Sequence, residues 1–237
     1  KLYPIALKGI AEPITPFVVT SIVETTATAL DAGDGPIFGR DPEAALLRTR
    51  WQAARDGDAQ LVLLSGQAGI GKSRLAAAFI DEVSREDARV NEYFGSSFHT
   101  ASAYHPIAIA IERAAEIARE DDPATRLDKL DKLMVAAGLD PDEAGPFIAP
   151  LLGVDPGTRY PSPGIAPSAM SDRAFELLAD MLLFRWRDKP HLVLLEDAHW
   201  IDPTTTELLH HLFARAEGMR VLFLVTFRPD YEGLRRD

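Results

Sequence analysis

An eight-residue segment at positions 66–73 constrains the fold of this 237-residue chain more than any other feature. The segment reads Gly-Gln-Ala-Gly-Ile-Gly-Lys-Ser, with four residues between its first glycine and its final Gly-Lys-Ser group. An apolar run at 61–64 precedes it, and a helix-like pattern at 74–83 follows it. This order of strand, glycine-rich loop and helix is typical of loops whose backbone N–H groups surround phosphate oxygens. The sequence therefore predicts a site for a nucleoside triphosphate.

The positions in this segment have separate predicted roles. The glycines let the backbone curve around phosphate oxygens, and the helix that follows directs its positive end at them. Lys72 is predicted to contact the β and γ phosphates as a catalytic residue, and Ser73 to bind Mg²⁺. The predicted nucleotide-binding residues here are Gly66, Gln67, Ala68, Gly69, Ile70, Gly71, Lys72, Ser73 and Arg74.

The composition excludes several classes of protein. With 46% hydrophobic residues the chain can bury a core, and with no cysteine it has neither disulfides nor a thiolate zinc site. The lack of cysteine fits a reducing compartment, and we expect a cytoplasmic location. A net charge of −11 argues against nucleic acid as a partner of this segment. No apolar run approaches the about 20 residues that span a bilayer, so no membrane partner is expected.

Changes in composition divide the chain into three segments. Residues 1–19 alternate apolar and turn residues and resemble the C-terminal tail of a preceding domain. Residues 20–36 are rich in Thr, Ala, Gly and Asp, which predicts a linker. Residues 37–237 form the main domain. Because the chain begins with Lys1 and its start has no signal-peptide pattern, we expect it to be a piece of a longer polypeptide.

Strand-like and helix-like segments alternate along the main domain. Asp41-Pro42 and Asp202-Pro203 each predict the start of a helix, because aspartate caps helices and proline suits their first turn. The alternation predicts an α/β fold with a parallel sheet and helices on both faces. The other predicted elements are helices at 41–55, 106–119, 170–186 and 203–216, strands at 89–94, 191–195 and 221–227, an acidic helical insertion at 121–152, and a proline-rich loop at 153–167.

Two carboxylates follow the apolar strand at 192–195. In open α/β sheets ligands bind at the carboxyl ends of the strands, which is where Glu196 and Asp197 are expected to lie. By position we assign Glu196 to Mg²⁺, through water, and Asp197 to the attacking water, both as catalytic residues. A core strand that simply ends in two solvated acids is the alternative, and the phosphate-binding segment upstream argues against it.

The strand at 221–225 is followed by Thr226 and Arg228, which should reach the same edge of the sheet. Thr226 is predicted to contact nucleotide, and Arg228 to sense the γ phosphate as a catalytic residue. An arginine at the end of a strand is often only a surface residue, so both interpretations of Arg228 stay open.

Other polar residues have weaker claims to a function. His199 and Trp200 follow the acidic pair, and a packing turn is as plausible for them as a catalytic role. His210 and His211 lack the spacing of a histidine metal site. The run at 128–131 has Asp where a guanine-reading motif has Asn, and it lies in a helical pattern, which argues against a GTPase.

Four segments together resemble the STAND-type, AAA-like P-loop ATPases of bacterial signalling proteins, which are fused to class III adenylyl or guanylyl cyclases or to LuxR-type regulators. The resemblance implies that Gly39 and Arg40 lie against adenine, and that ATP or ADP and Mg²⁺ are the ligands. It also implies that this chain ends before a fifth core strand and a winged-helix region. The similar segments are 38–43, 66–73, 196–203 and 226–229.

The first residues extend the resemblance. Residues 7–14, Leu-Lys-Gly-Ile-Ala-Glu-Pro-Ile, resemble the tail of class III cyclase catalytic domains, which implies a fused cyclase upstream and helical repeats downstream. The expected function is a slowly hydrolysing Mg-ATP switch that regulates this output domain, with nucleotide-dependent homo-oligomers as a further implication. Two alternatives are a nucleotide-binding scaffold that does not hydrolyse ATP and, with less support, a small-molecule kinase.

Overall fold

In the computed structural model, the described residues are 38–231 and 233, without the side chains of 167 and 168. The predicted tail at 1–19 and linker at 20–36 lie outside them. The helices are α1 (Asp41–Arg55), α2 (Lys72–Val83), α3 (His105–Ala114), α4 (Pro123–Ala136), α5 (Pro141–Ile148), α6 (Pro167–Arg185) and α7 (Pro203–Arg215). The strands are β1 (Gln60–Ser65), β2 (Arg89–Phe94), β3 (His191–Glu196) and β4 (Val221–Phe227).

The four strands of the described residues form one sheet in the order β1-β4-β3-β2. All three strand pairs are parallel, with Ser65 opposite Phe227 in one pair and Phe94 opposite Glu196 in another. Parallel neighbours require crossover connections, and the helices provide them. The predicted α/β fold with a parallel sheet is therefore confirmed.

Helices cover both faces of the sheet. The larger apolar cluster joins Val193, Leu195 and Phe223 to buried residues of α3 to α7. The alternate strand residues, such as Leu192 and Leu194, are also buried but lie outside that cluster. They face a layer formed by α1 and α2. Helix α2 contacts β2, β3 and β4, and helix α1 contacts β1 and β4. Burial on both faces explains why β3 and β4 are apolar at almost every position.

Two helix ends differ from the sequence predictions. Arg40, not Asp41, occupies the N-cap of α1, so Asp41 lies in the first turn, where its charge favours the helix dipole. Helix α3 ends at Ala114 rather than near residue 119. Glu116 has a φ of 56°, which a helix cannot accommodate, and the side chain of Asp121 accepts the N–H of Ala118 at 2.7 Å. The local hydrogen bond replaces the helical one.

The predicted acidic insertion is helical, as expected, but it consists of α4, α5 and a 3₁₀ turn at Ala149–Leu152. Asp122 caps α4 by accepting the N–H of Thr125 at 2.8 Å. Asp202 caps α7 in the predicted way, accepting the N–H of Thr205 at 2.9 Å and its hydroxyl at 2.6 Å. Among the described helices, none is both long and apolar enough to cross a membrane.

The free energy of unfolding is expected to depend on pH through His191, the first residue of β3. Its side chain is 1% exposed, and burial lowers its pKa, although the nearby carbonyl of Lys189, 2.9 Å from Nδ1, opposes this. The unfolded chain therefore binds this proton more readily than the folded one. The contribution of neutral His191 to the free energy of unfolding should be complete above the ordinary histidine pKa of about 6.5. It should fall as the pH drops below that value, by up to about 1.4 kcal/mol per pH unit.

Urea unfolding between pH 7.5 and pH 5 measures this dependence. His191→Asn keeps a donor for the Lys189 carbonyl and removes the titrating ring, so its stability should vary less with pH than that of the parent. His210→Asn, on α7, is the matched control. Equal slopes for the parent and His191→Asn would contradict the prediction.

Candidate functional site

The residues singled out by sequence meet at the carboxyl ends of β1, β3 and β4. Strand β1 leads directly into the glycine-rich loop, and the N–H of Gly66 donates to the carbonyl of Phe227 at 3.2 Å. Strand β4 lies between β1 and β3, so the loop and the acidic pair flank its end. This is the edge at which ligands of open α/β sheets bind.

The loop ends at the N-terminus of α2. Gly71 is the N-cap with a φ of 96°, a left-handed conformation that favours glycine. Residues 67–71 are exposed, so the loop is accessible to a ligand. Nζ of Lys72 donates to the carbonyls of Gly66 at 2.8 Å and Gln67 at 3.1 Å. The ammonium group is thus held over the loop, where the helix dipole also favours an anion.

Glu196 is the buried carboxylate of the site. It is 5% exposed at the end of β3, and the side chain of Ser73 lies near it. Its Oε2 atom is buried and has no hydrogen-bond partner among the described residues. Burial raises the pKa of Glu196, and the nearby Ser73 hydroxyl opposes this rise. A buried, unpaired carboxylate oxygen is costly, so the site is suited to a cation there.

A second, half-buried carboxylate, Glu92, was not predicted from the sequence. Glu92 pairs with Leu194 across β2 and β3, so its side chain is on the same face of the sheet as Glu196. Its charge contributes to raising the pKa of Glu196, and burial raises its own pKa despite the opposing charge of Arg113. The Oε2 atom of Glu92 also has no partner within the described residues. The face toward α2 therefore carries two partly desolvated acids.

Asp197 has a different environment from its neighbour. It adopts a left-handed conformation with a φ of 52°, and its N–H donates to the hydroxyl of Thr226 at 3.0 Å. The side chain of Asp197 is about half exposed, and one of its oxygens is 3.9 Å from Nδ1 of His199. The Thr226 side chain is buried, and its hydrogen bond fixes the backbone conformation of Asp197. Contact of Thr226 with nucleotide stays a prediction.

Gly95 is a further site residue that the sequence analysis missed. Its N–H donates to the carbonyl of Glu196 at 2.8 Å. A Cβ atom at this position would lie 2.2 Å from the carbonyl oxygen of Asp197, so a larger residue would displace the acidic pair. No local motif marks Gly95, because the close approach comes from a strand distant in sequence.

The turn after Asp197 packs His199 and Trp200 beside the site. The His199 ring is nearly buried, burial lowers its pKa, and neither ring nitrogen has a hydrogen-bond partner within the described residues. The rings of His199 and Trp200 are 4.9 Å apart. The guanidinium of Arg228 lies over the Trp200 ring, 5.6 Å from its centroid. This stack places a cation at the end of β4, as predicted, and its role as a sensor stays a prediction.

Arg40 joins the start of the domain to the glycine-rich loop. Its guanidinium donates to the carbonyl of Ile70 at 3.0 Å and to the carboxylate of Glu43 at 2.6 Å. Gly39, next to it, has a φ of 69°. Arg74 lies in α2, one residue beyond Ser73. The structure therefore brings the phosphate loop, Arg40 and the acidic pair to one edge, while contact of Gly39, Arg40 and Arg74 with nucleotide stays a prediction.

This fold and this edge define the class of P-loop nucleotide-binding domains. More narrowly, the chain belongs to the AAA ATPase domain family, because a sequence model of that family matches residues 36–225. The chain is also 28% identical over 198 residues to an uncharacterized protein of Rhizobium meliloti (strain 1021). The match covers 83% of this chain and 19% of that protein, so the chain spans about one fifth of the length of this relative.

Proposed function

We propose that this domain is a Mg-ATP-binding switch that hydrolyses ATP slowly and regulates a fused output domain. The observation that carries the proposal is the proximity of the Ser73 side chain to the buried Glu196, beside an exposed phosphate loop. The fold brings together the two residues predicted to bind Mg²⁺, although they are far apart in sequence. The family supports nucleotide binding and ATPase chemistry in general.

The residues present fit Mg²⁺. Oxygen donors suit this ion, which is usually held by one or two carboxylates, waters and substrate phosphates. Ser73 and Glu196 supply a hydroxyl and a carboxylate, and the unpaired Oε2 of Glu196 is a free acceptor. Within residues 38–231 and 233, no group of three or more His, Asp or Glu side chains could hold a metal ion. The proposed site therefore needs substrate oxygens, and Mg²⁺, when bound, would neutralise phosphate charge.

Different residues of the site would have different roles toward the substrate. The N–H groups of residues 67–71 and the N-terminus of α2 would bind the phosphates, and Lys72 would exchange its two loop carbonyls for phosphate oxygens. Asp197, exposed and held by Thr226, would orient the attacking water and accept its proton. Arg228 would respond to the γ phosphate. Many of the STAND-type ATPases that the sequence resembles have aspartate at this position, and the longer side chain of Glu196 argues for slow hydrolysis.

The regulatory part of the proposal depends on resemblance. Residues 7–14 resemble the tail of class III cyclases, which supports a cyclase as the output domain, in the cytoplasm of a bacterium. ATP and ADP would set different arrangements of the flanking domains, including the helical repeats, and could change self-association. A scaffold that binds ATP without hydrolysing it is the other candidate.

Titration of ATP with and without Mg²⁺ tests whether Glu196 contributes to a Mg²⁺ site. In the parent protein, Mg²⁺ should tighten ATP binding by at least about tenfold, or about 1.4 kcal/mol. Glu196→Gln keeps the size of the side chain and an acceptor for Ser73 but removes the charge, so the tightening should fall below about threefold, or about 0.7 kcal/mol. Isothermal titration calorimetry measures both values.

Glu120→Gln, at an exposed position outside the site, is the control for the loss of one negative charge. It should retain the full effect of Mg²⁺. If Mg²⁺ tightens ATP binding equally in the parent and in Glu196→Gln, Glu196 does not serve the metal and this part of the proposal is wrong.

A further inference from the structure

A cavity of about 750 Å³ lies between α5, the proline-rich loop and α6. None of the predicted nucleotide-site residues lines it, so it is separate from the phosphate loop. Its volume falls within the range of about 300–1,000 Å³ that is usual for small-molecule sites. Cavities of this size with mixed lining are typical places for a ligand.

The interior surface of the cavity is mainly apolar. Phe147 and Pro146 of α5 are buried at its floor. Ile165, Pro161 and Pro163 of the loop supply further apolar surface, and Ile165 is 41% exposed. An apolar molecular body can therefore be removed from water here, which favours its binding.

The rim of the cavity is negatively charged. Among the described residues that line the cavity, four are carboxylates and one, Arg173, is basic. Glu176 is 3.7 Å from Arg215 of α7, but within the described residues Asp142, Glu143 and Asp172 form no ion pair. All four carboxylates are exposed at the rim. Their charge exceeds that of Arg173, so the cavity complements a cation.

The wall formed by the proline-rich loop is anchored before any ligand binds. Arg159 forms ion pairs with Asp131 and Asp128 of α4, each at 2.5 Å. The hydroxyl of Tyr160 donates to Asp131 at 2.7 Å, and its ring packs so closely on Gly145 that a Cβ there would lie 2.4 Å from it. These contacts hold the loop against α4 and α5. The cavity is therefore preformed, which lowers the entropic cost of binding.

We propose that this cavity binds a small organic cation with an apolar body, the body against Phe147 and Ile165 and the charge beside Asp142, Glu143 and Asp172. The carboxylates favour an amine over an alcohol or an acid of the same shape. Buried side chains form the floor of the cavity, and its volume is that of a small-molecule site, which favours a small molecule over a peptide. The proposal is independent of the ATP site.

Three probes of one shape test the proposal: 4-phenylbutylamine, 4-phenylbutanol and 4-phenylbutyrate. Binding is measured by titration calorimetry and by saturation-transfer NMR, in 50 mM salt. The amine should bind at least about tenfold more tightly than the alcohol, and the acid more weakly than the alcohol. Equal affinities for the three probes, or no binding of the amine, would overturn the proposal.

Matched variants locate the binding. The preference for the amine should be lost in the rim triple variant, which combines Asp142→Asn, Glu143→Gln and Asp172→Asn. The preference should be retained in a control triple variant that changes the net charge equally at exposed positions outside the cavity, Asp81→Asn, Glu120→Gln and Glu217→Gln. Ile165→Ser should weaken the binding of the amine and of the alcohol equally. Val135→Ser, at an exposed position of α4, should weaken the binding of neither probe.

Two outcomes of these experiments would contradict the assignment. An unchanged preference for the amine in the rim triple variant would show that the cation binds elsewhere. Tighter binding of an Arg-Phe-Arg-Phe-Arg peptide than of 4-phenylbutylamine, with the amine displaced from the cavity, would assign the cavity to a protein partner instead. Because binding is read directly, neither result depends on whether the domain hydrolyses ATP.

Discussion

Lys72→Ala should reduce the affinity for Mg-ATP by about 100-fold, or about 2.8 kcal/mol. Within the part of the chain that the structure describes, the ammonium group donates to the loop carbonyls of Gly66 and Gln67 alone, so it is available to phosphate oxygens when nucleotide binds. Hydrogen bonds to charged groups contribute about 1.5–3 kcal/mol each, which sets the expected size of the loss. Competition with a fluorescent ATP analogue measures it.

The fold should survive this substitution. Lys72 is the first residue of α2, and alanine is a better helix former, so the unfolding temperature should change by no more than a few degrees. Lys132→Ala, at an exposed position of α4, is the matched control and should bind Mg-ATP like the parent. Undiminished affinity in Lys72→Ala would show that the phosphate loop is not the nucleotide site.

Asp197→Asn should lower the rate of ATP hydrolysis by about 100-fold while changing ATP affinity by less than about threefold. A positioned general base contributes about 10²- to 10⁴-fold to such rates, and asparagine cannot accept the proton of the attacking water. Asparagine also tolerates the left-handed backbone that Asp197 adopts, so the turn and its hydrogen bond to Thr226 should be retained. Single-turnover release of phosphate measures the rate.

Asp155→Asn, in the exposed proline-rich loop, is the control for this substitution. Hydrolysis by Asp197→Asn at the parental rate would exclude Asp197 as the water-side residue. If the parent itself does not turn over while it binds ATP, the non-hydrolysing scaffold becomes the better account of the domain.

The sequence predicts the parts of this domain that depend on local pattern. The strand, loop and helix around residues 60–83 could be predicted because the glycine spacing and the apolar runs encode them directly. Strands β3 and β4 were found for the same reason, since they are buried on both faces and read as continuous apolar runs. Parallel order then places their carboxyl ends at one edge.

Contacts between distant segments were not predictable. Gly95 approaches the carbonyl of Asp197 only because β2 and β3 are neighbours in the sheet, and nothing near residue 95 marks that approach. Glu92 lies half-buried on the same face of the sheet as Glu196 for the same reason. The early end of α3 depends on a hydrogen bond that the backbone N–H of Ala118 donates to the side chain of Asp121. The apolar pattern of residues 106–119 does not encode this bond.

Nucleotide released from the protein on denaturation tests the central claim most directly. The parent and Lys72→Ala are incubated with Mg²⁺ and ATP, freed of excess nucleotide by gel filtration, and denatured, and the released nucleotide is quantified by anion-exchange chromatography. A slow ATPase switch predicts nearly one ADP per parent chain and almost none from Lys72→Ala. The same amount of nucleotide from both proteins, including none from either, would contradict nucleotide binding at the phosphate loop.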